Sequence, residues 1–82
     1  QSGRLDALRL MAIINFRLER LDAAWDDFQD LLASGQYRMD ALFYLGRIAD
    51  YREQYERAVR LYREVRYGSN TMFSQRRAGA SA

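Results

Sequence analysis

The sequence repeats itself at an offset of 34 residues, and this spacing constrains the fold more than any other feature. Arg4-Leu5-Asp6-Ala7-Leu8 returns as Arg38-Met39-Asp40-Ala41-Leu42, with Leu5 against Met39 the one difference. Carried onward, the offset pairs residues of like size and polarity: Met11 with Leu45, Ala12 with Gly46, Leu21 with Tyr55, Ala24 with Ala58, Phe28 with Tyr62 and Leu31 with Val65. A period of this length marks supersecondary units that cannot bury their apolar faces alone and stack to make a shared core. Stacked units present surfaces, so a binding face is sought before an active site.

The apolar spacing says that each unit is a pair of helices. In the second unit Leu42, Leu45 and Ala49 recur at helical intervals, an amphipathic stripe, and Gly46 on that stripe lets another helix come close. A polar break at Arg52-Glu53-Gln54 precedes a second stripe of Ala58, Leu61, Tyr62 and Val65. The first unit repeats this arrangement: Leu8, Met11, Ala12 and Asn15, a break at Glu19-Arg20, then Ala24, Phe28, Leu31 and Leu32. Small residues set opposite large ones suit two antiparallel helices joined by a short turn. The pattern predicts helices over about 3–18, 22–33, 40–52 and 56–67. Gly35 suits a left-handed C-terminal cap. Gly68-Ser69 repeats that stop signal, and Ser69 or Asn70 is placed to cap a fifth helix containing Met72 and Phe73.

These residues resemble the tetratricopeptide repeat (TPR) family, whose motif runs W-x2-L-G-x2-Y, then A-x3-F, then a closing Pro. The second unit reads Leu42-x2-Leu45-Gly46-x2-Ala49, then Tyr55, Ala58-x3-Tyr62 and Val65; the first reads Leu8-x2-Met11-Ala12-x2-Asn15, then Leu21, Ala24-x3-Phe28 and Leu31. The motif's Trp and Tyr are absent from the first helices, and Gln36 and Asn70 stand where the closing Pro would be. The resemblance implies an all-α TPR solenoid of stacked antiparallel helix pairs. On it, residues 1–82 form one TPR domain fragment: repeat one over about 5–38, repeat two over about 39–72, and part of a third over about 70–80. Neither end carries a capping helix, so the expectation is a piece of a longer protein.

Composition narrows the chemistry. The 82 residues include no His, no Cys and no Pro, and only five Gly. Without Cys there are no disulfides or thiolate metal sites. Without His, nucleophilic work would fall to Ser or Thr with no imidazole base, and there is no Gly-rich phosphate loop. Asp26, Asp27 and Asp30 lie on one helix, where ligands rarely converge on a cation without loop carbonyls. The reading is therefore no enzyme, no cofactor and no metal, and no apolar run long enough to span a membrane.

All thirteen basic residues are Arg, and the net charge is only +2. It is unevenly spread: four Arg face six acids up to Tyr37, and nine Arg face five acids from Arg38 onward. Acids gather on the second helix (Asp22, Asp26, Asp27, Asp30) and arginines on the fourth (Arg57, Arg60, Arg63, Arg66). Equivalent helices of stacked units lie side by side, so Asp26 and Asp30 are expected to pair with Arg57, Arg60 or Arg63. Nucleic acid is disfavoured, because the acidic helix adjoins the basic one and the net attraction for a polyanion is weak.

The TPR resemblance places the binding surface in a concave groove lined by the first helix of each unit. By position this gives Asp6, Arg9, Leu10, Ile13, Phe16 and Arg17, then Asp40, Phe43, Tyr44, Arg47, Asp50 and Tyr51. Residues four apart share a helical face, so Arg9, Ile13 and Arg17 form one row and Phe43, Arg47 and Tyr51 another. Arginines and aromatics in adjacent rows suit a partner segment with acidic and apolar side chains. The candidate site is thus Arg9, Ile13, Phe16, Arg17, Phe43, Tyr44, Arg47 and Tyr51, with Phe16 and Phe43 alternatively packing between helices. Trp25 is expected to pack between units.

The family's carboxylate clamp requires Lys and Asn where this chain has Arg9 and Ile13, which argues against that mode. The Arg-only usage and the run Tyr62-Arg63-Glu64-Val65-Arg66-Tyr67-Gly68 look like bacterial TPR scaffold proteins. Some of these are envelope lipoprotein adaptors that bring substrates to a protease. The resemblance therefore implies a scaffold or adaptor in the cytoplasm, or in the periplasm if the parent is an envelope lipoprotein. The alternative is a self-assembly module whose exposed repeat ends stack on another copy.

Overall fold

The computed structural model describes residues 2–68, and the fifth helix expected beyond Ser69 lies outside them. Four helices follow in order: α1 (Ser2–Arg17), α2 (Leu21–Ser34), α3 (Arg38–Tyr51) and α4 (Tyr55–Gly68). The described residues are all-helical, with short turns between. Each helix packs on its neighbour in sequence: α1 on α2, α2 on α3, and α3 on α4. No helix among the described residues is long and apolar enough to cross a membrane.

The repeat seen in the sequence returns in the backbone. α1 and α3 end at Arg17 and Tyr51, and α2 and α4 start at Leu21 and Tyr55, both pairs 34 residues apart. The turns match bond for bond. Glu19 and Glu53 are left-handed, both at φ 61°. The Glu19 N–H donates to the Phe16 carbonyl at 3.0 Å and the Arg20 N–H to Asn15 at 2.8 Å. Glu53 donates to Asp50 at 2.9 Å and Gln54 to Ala49 at 2.8 Å. Each is a Schellman cap, which satisfies carbonyls the helix end leaves open. α2 ends at Gly35, also left-handed at φ 84°, where glycine carries no Cβ penalty.

The core is built around α3. Ala41, Leu45 and Ile48 are fully buried with Ala24, Phe28 and Leu31 of α2 and Ala12 of α1. The other side of α3 carries Leu42, Gly46 and Ala49, also buried, toward α4. Gly46 marks the close crossing: a Cβ there would lie 2.7 Å from the Tyr62 ring. Helix periodicity thus gives α3 two apolar faces, one for each neighbour.

Two expectations need correction. Met11, assigned to the packing stripe of α1, is 58% exposed, because no helix lies on that side of α1 among the described residues. Nor are Asp26 and Asp30 paired with Arg57, Arg60 or Arg63 among the described residues. Ion pairs instead join Asp22 to Arg52, Arg9 to Asp40 and Arg38 to Glu64. Asp27 turns inward and accepts a hydrogen bond from the Asn15 amide at 2.9 Å, linking α2 to α1. Helical rotation carries Asp26 and Asp30 to exposed positions.

Candidate functional site

The first helices of the two units, α1 and α3, meet through side chains along one face. Two clusters form there. At one end the Arg9 Nε–H donates to Asp40 Oδ2 at 2.7 Å, and its guanidinium lies 5.2 Å from the centre of the Tyr37 ring. The Tyr37 hydroxyl donates to Asp6. Tyr37 itself holds a left-handed backbone at φ 55°, uncommon for a bulky residue, immediately before α3. Arg9 is thus engaged by the protein's own groups.

The other end is aromatic. Phe16 of α1 meets Tyr44 edge-on at 5.2 Å and Tyr51 at 5.9 Å. Tyr44 also stacks on the fully buried Phe28 at 4.8 Å and 6° and meets Phe43 at 5.3 Å, so it anchors the cluster to the core. Arg47 lies over this surface. Its guanidinium is 5.8 Å from the Phe16 ring centre and 5.7 Å from that of Phe43, within cation–π range of both. Among the described residues Arg47 makes no ion pair or hydrogen bond. Its five N–H donors are therefore held by two rings yet left open to a partner.

Two recesses share Tyr51, and Arg47 lines one of them. One, of about 250 Å³, is lined by Arg47, Asp50, Tyr51 and Tyr62. Burial pushes the Tyr62 phenol above its ordinary value; Asp50 adds to the rise and Arg47 opposes it. The other, of about 280 Å³, lies between Phe16, Arg17, Glu19, Leu21 and Tyr51. Larger hollows of about 470 and 460 Å³ open beside α4, where the stems of charged side chains join Tyr55, Trp25 and Leu61 in the walls. Pockets that fix a ligand's orientation combine apolar surface with a few placed polar groups. On the α1–α3 face, aromatic side chains of both units surround an arginine whose donors are open among the described residues.

The eight sequence-predicted residues therefore divide. Phe16, Phe43, Tyr44, Arg47 and Tyr51 come together, with Phe43 40% and Tyr51 63% exposed. Arg17 is exposed at the edge of the second recess. Ile13 is half-buried against the core, and Arg9 belongs to the separate polar cluster. Sequence reasoning missed Tyr37 in the polar cluster and Tyr62 in the first recess. Tyr37 falls in a connection, outside any helical row, and Tyr62 holds a position that the repeat pattern assigns to packing. Trp25 lies between the units, with the guanidinium groups of Arg52 and Arg57 over its ring at 6.0 and 5.7 Å.

Among the described residues no group of acids, His or Cys is arranged to hold a metal ion. No protein-family model, curated protein or solved structure matches the sequence.

Proposed function

We propose that the chain is a TPR-type interaction module that binds an extended segment of another protein along the α1–α3 face. The observation that carries this reading is Arg47. Its guanidinium lies within cation–π range of two aromatic rings, and among the described residues its hydrogen-bond donors are unspent. A bound carboxylate would gain a charge-assisted, bidentate contact there, and binding would cost little rotamer freedom in Arg47 because the rings already favour that position. An apolar side chain next to that carboxylate would rest on Phe16, Phe43 and Tyr51. The module has no chemistry of its own on this reading. Any recruitment of a protease or other enzyme, as the resemblance to bacterial scaffold and adaptor proteins implies, would use the same surface.

A peptide array varying acidic and aromatic positions, probed with the 82-residue chain, tests this. Arg47→Ala should weaken captured peptides by about 1–3 kcal/mol and leave helicity unchanged. Arg60→Ala, on the exposed side of α4, should change little. Loss in the Arg60 variant with retention in the Arg47 variant would move the binding face to α4.

A further inference from the structure

The repeat relates the first and last of the described helices as well as the two units. Shifting α3 back by 34 residues superposes Ala41, Leu45 and Ile48 on Ala7, Met11 and Ile14. The α3 residues are all fully buried, against α2. Their α1 counterparts are exposed: Met11 58% and Ile14 47%, with Leu10 at 56% and Leu18 at 55% extending the same side of the helix. α1 is therefore apolar on a face that has no neighbour among the described residues, and a helix apolar all round is one meant to be covered.

What covers the equivalent face of α3 is α2, and the repeat supplies a second helix of that type. Shifted forward, the α2 residues Leu21, Trp25 and Phe28 become Tyr55, Val59 and Tyr62 on α4. Leu21 and Trp25 are half-buried, whereas Tyr55 is 58% and Val59 52% exposed. Among the described residues, one chain thus carries both halves of the α2–α3 contact unpaired, one on its first helix and one on its fourth.

The geometry points to head-to-tail self-association, in which α4 of one copy seats on α1 of the next as α2 seats on α3. Tyr62 would take the place of Phe28 and Leu10 that of Tyr44, which stack at 4.8 Å inside the chain. Glu56 and Leu18 would replace the Asp22–Arg52 ion pair, so the contact between copies would lack that pair and rest on its apolar side chains, with Arg66 standing where α2 has Leu32. Such an interface uses different patches on the two copies. It does not close on itself as a two-fold contact does, and it leaves free ends that recruit further copies. This association does not depend on the α1–α3 surface binding a partner.

Sedimentation of the 82-residue chain over a concentration series tests it. The weight-average mass should rise past that of a dimer, in high salt as well as low. Ile14→Glu blocks the α1 end and Val59→Glu the α4 end, so each alone should stay monomeric, the association weakened about tenfold or more. Mixed in equal amounts, they should form a dimer that grows no further, since one variant keeps each half of the contact. Circular dichroism checks their folding. Met11→Glu with Tyr55→Glu provides a second pair should either of the first lose helicity, and Arg47→Ala should associate like the parent chain. A wild-type chain that stays monomeric throughout would overturn the proposal. So would single variants that still associate, or a mixture that does not, because either result requires a contact other than α4 on α1.

Discussion

The turn joining α1 to α2 and the turn joining α3 to α4 have the same hydrogen bonds and the same left-handed residue, whereas the helices on either side of them differ sharply in burial. α3 buries Ala41, Leu42, Leu45, Gly46, Ile48 and Ala49; α1 buries only Ala12 among its described side chains. A Schellman cap is closed by backbone groups within six residues, so a repeated local sequence reproduces it wherever it falls. Burial depends on which helices stand alongside. Among the described residues α3 has a helix on both sides and α1 on one, and like residues therefore carry unlike energetic weight.

The largest test of that contrast compares equivalent positions. Leu45→Ala empties a fully buried site between α2 and α3 and should destabilise the fold by about 2–5 kcal/mol. Met11→Ala, at the matching position of α1, should fall within about 0.5 kcal/mol of the parent. Urea denaturation at low protein concentration, where copies stay apart, checks both. Comparable losses would mean that α1 has a packing partner on its exposed face.

The turns should answer alike. Glu19 and Glu53 hold backbone angles that disfavour a residue with a Cβ, and removing that atom relieves about 1 kcal/mol or more. Glycine's greater freedom in the unfolded chain returns part of the gain. Glu19→Gly and Glu53→Gly should therefore each stabilise by at most about 1 kcal/mol, and by similar amounts, read as a shift in denaturation midpoint. A gain at one site and a loss at the other would show that the two turns are not energetically equivalent.

Much of this organisation was legible in the sequence because it is local or periodic. The 34-residue offset located the two turns, the stripes placed the helices to within a few residues, and Gly35 and Gly46 announced a left-handed cap and a close crossing. What escaped was decided by neighbours. Met11 fits the pattern of a packed residue but has no helix to pack against on that side among the described residues. Asp26 and Asp30 lie on the right helix, yet rotation points Asp22 and Asp27 at partners instead. In the candidate site the rows of four were readable, while the division between an Arg9 already paired with Asp40 and an Arg47 left open depends on side-chain geometry across two helices. Tyr37 joined its cluster through a connection, where periodicity carries no information.

The smallest expected effect sharpens the comparison at one ring. Phe28 in the first unit and Tyr62 in the second hold the same repeat position, but only Tyr62 can ionise. Its phenol sits beside Gly46, in the recess with Arg47, Asp50 and Tyr51. Burial, reinforced by Asp50 and partly offset by Arg47, raises its pKa above the ordinary 10.0. The folded state therefore keeps this proton to higher pH than the unfolded chain does, and stability must fall as pH rises wherever the unfolded state binds fewer protons. The contribution is fully present below the unfolded value of 10.0 and is lost as pH climbs through the folded one. Tyr62→Phe restores the residue of the first unit and removes this titration. Urea midpoints measured on either side of the unfolded value should drop less in the variant than in the parent. Equal drops would mean that Tyr62 titrates in the folded protein as it does in the unfolded chain, and that the second crossing is no more sensitive to alkali than the first.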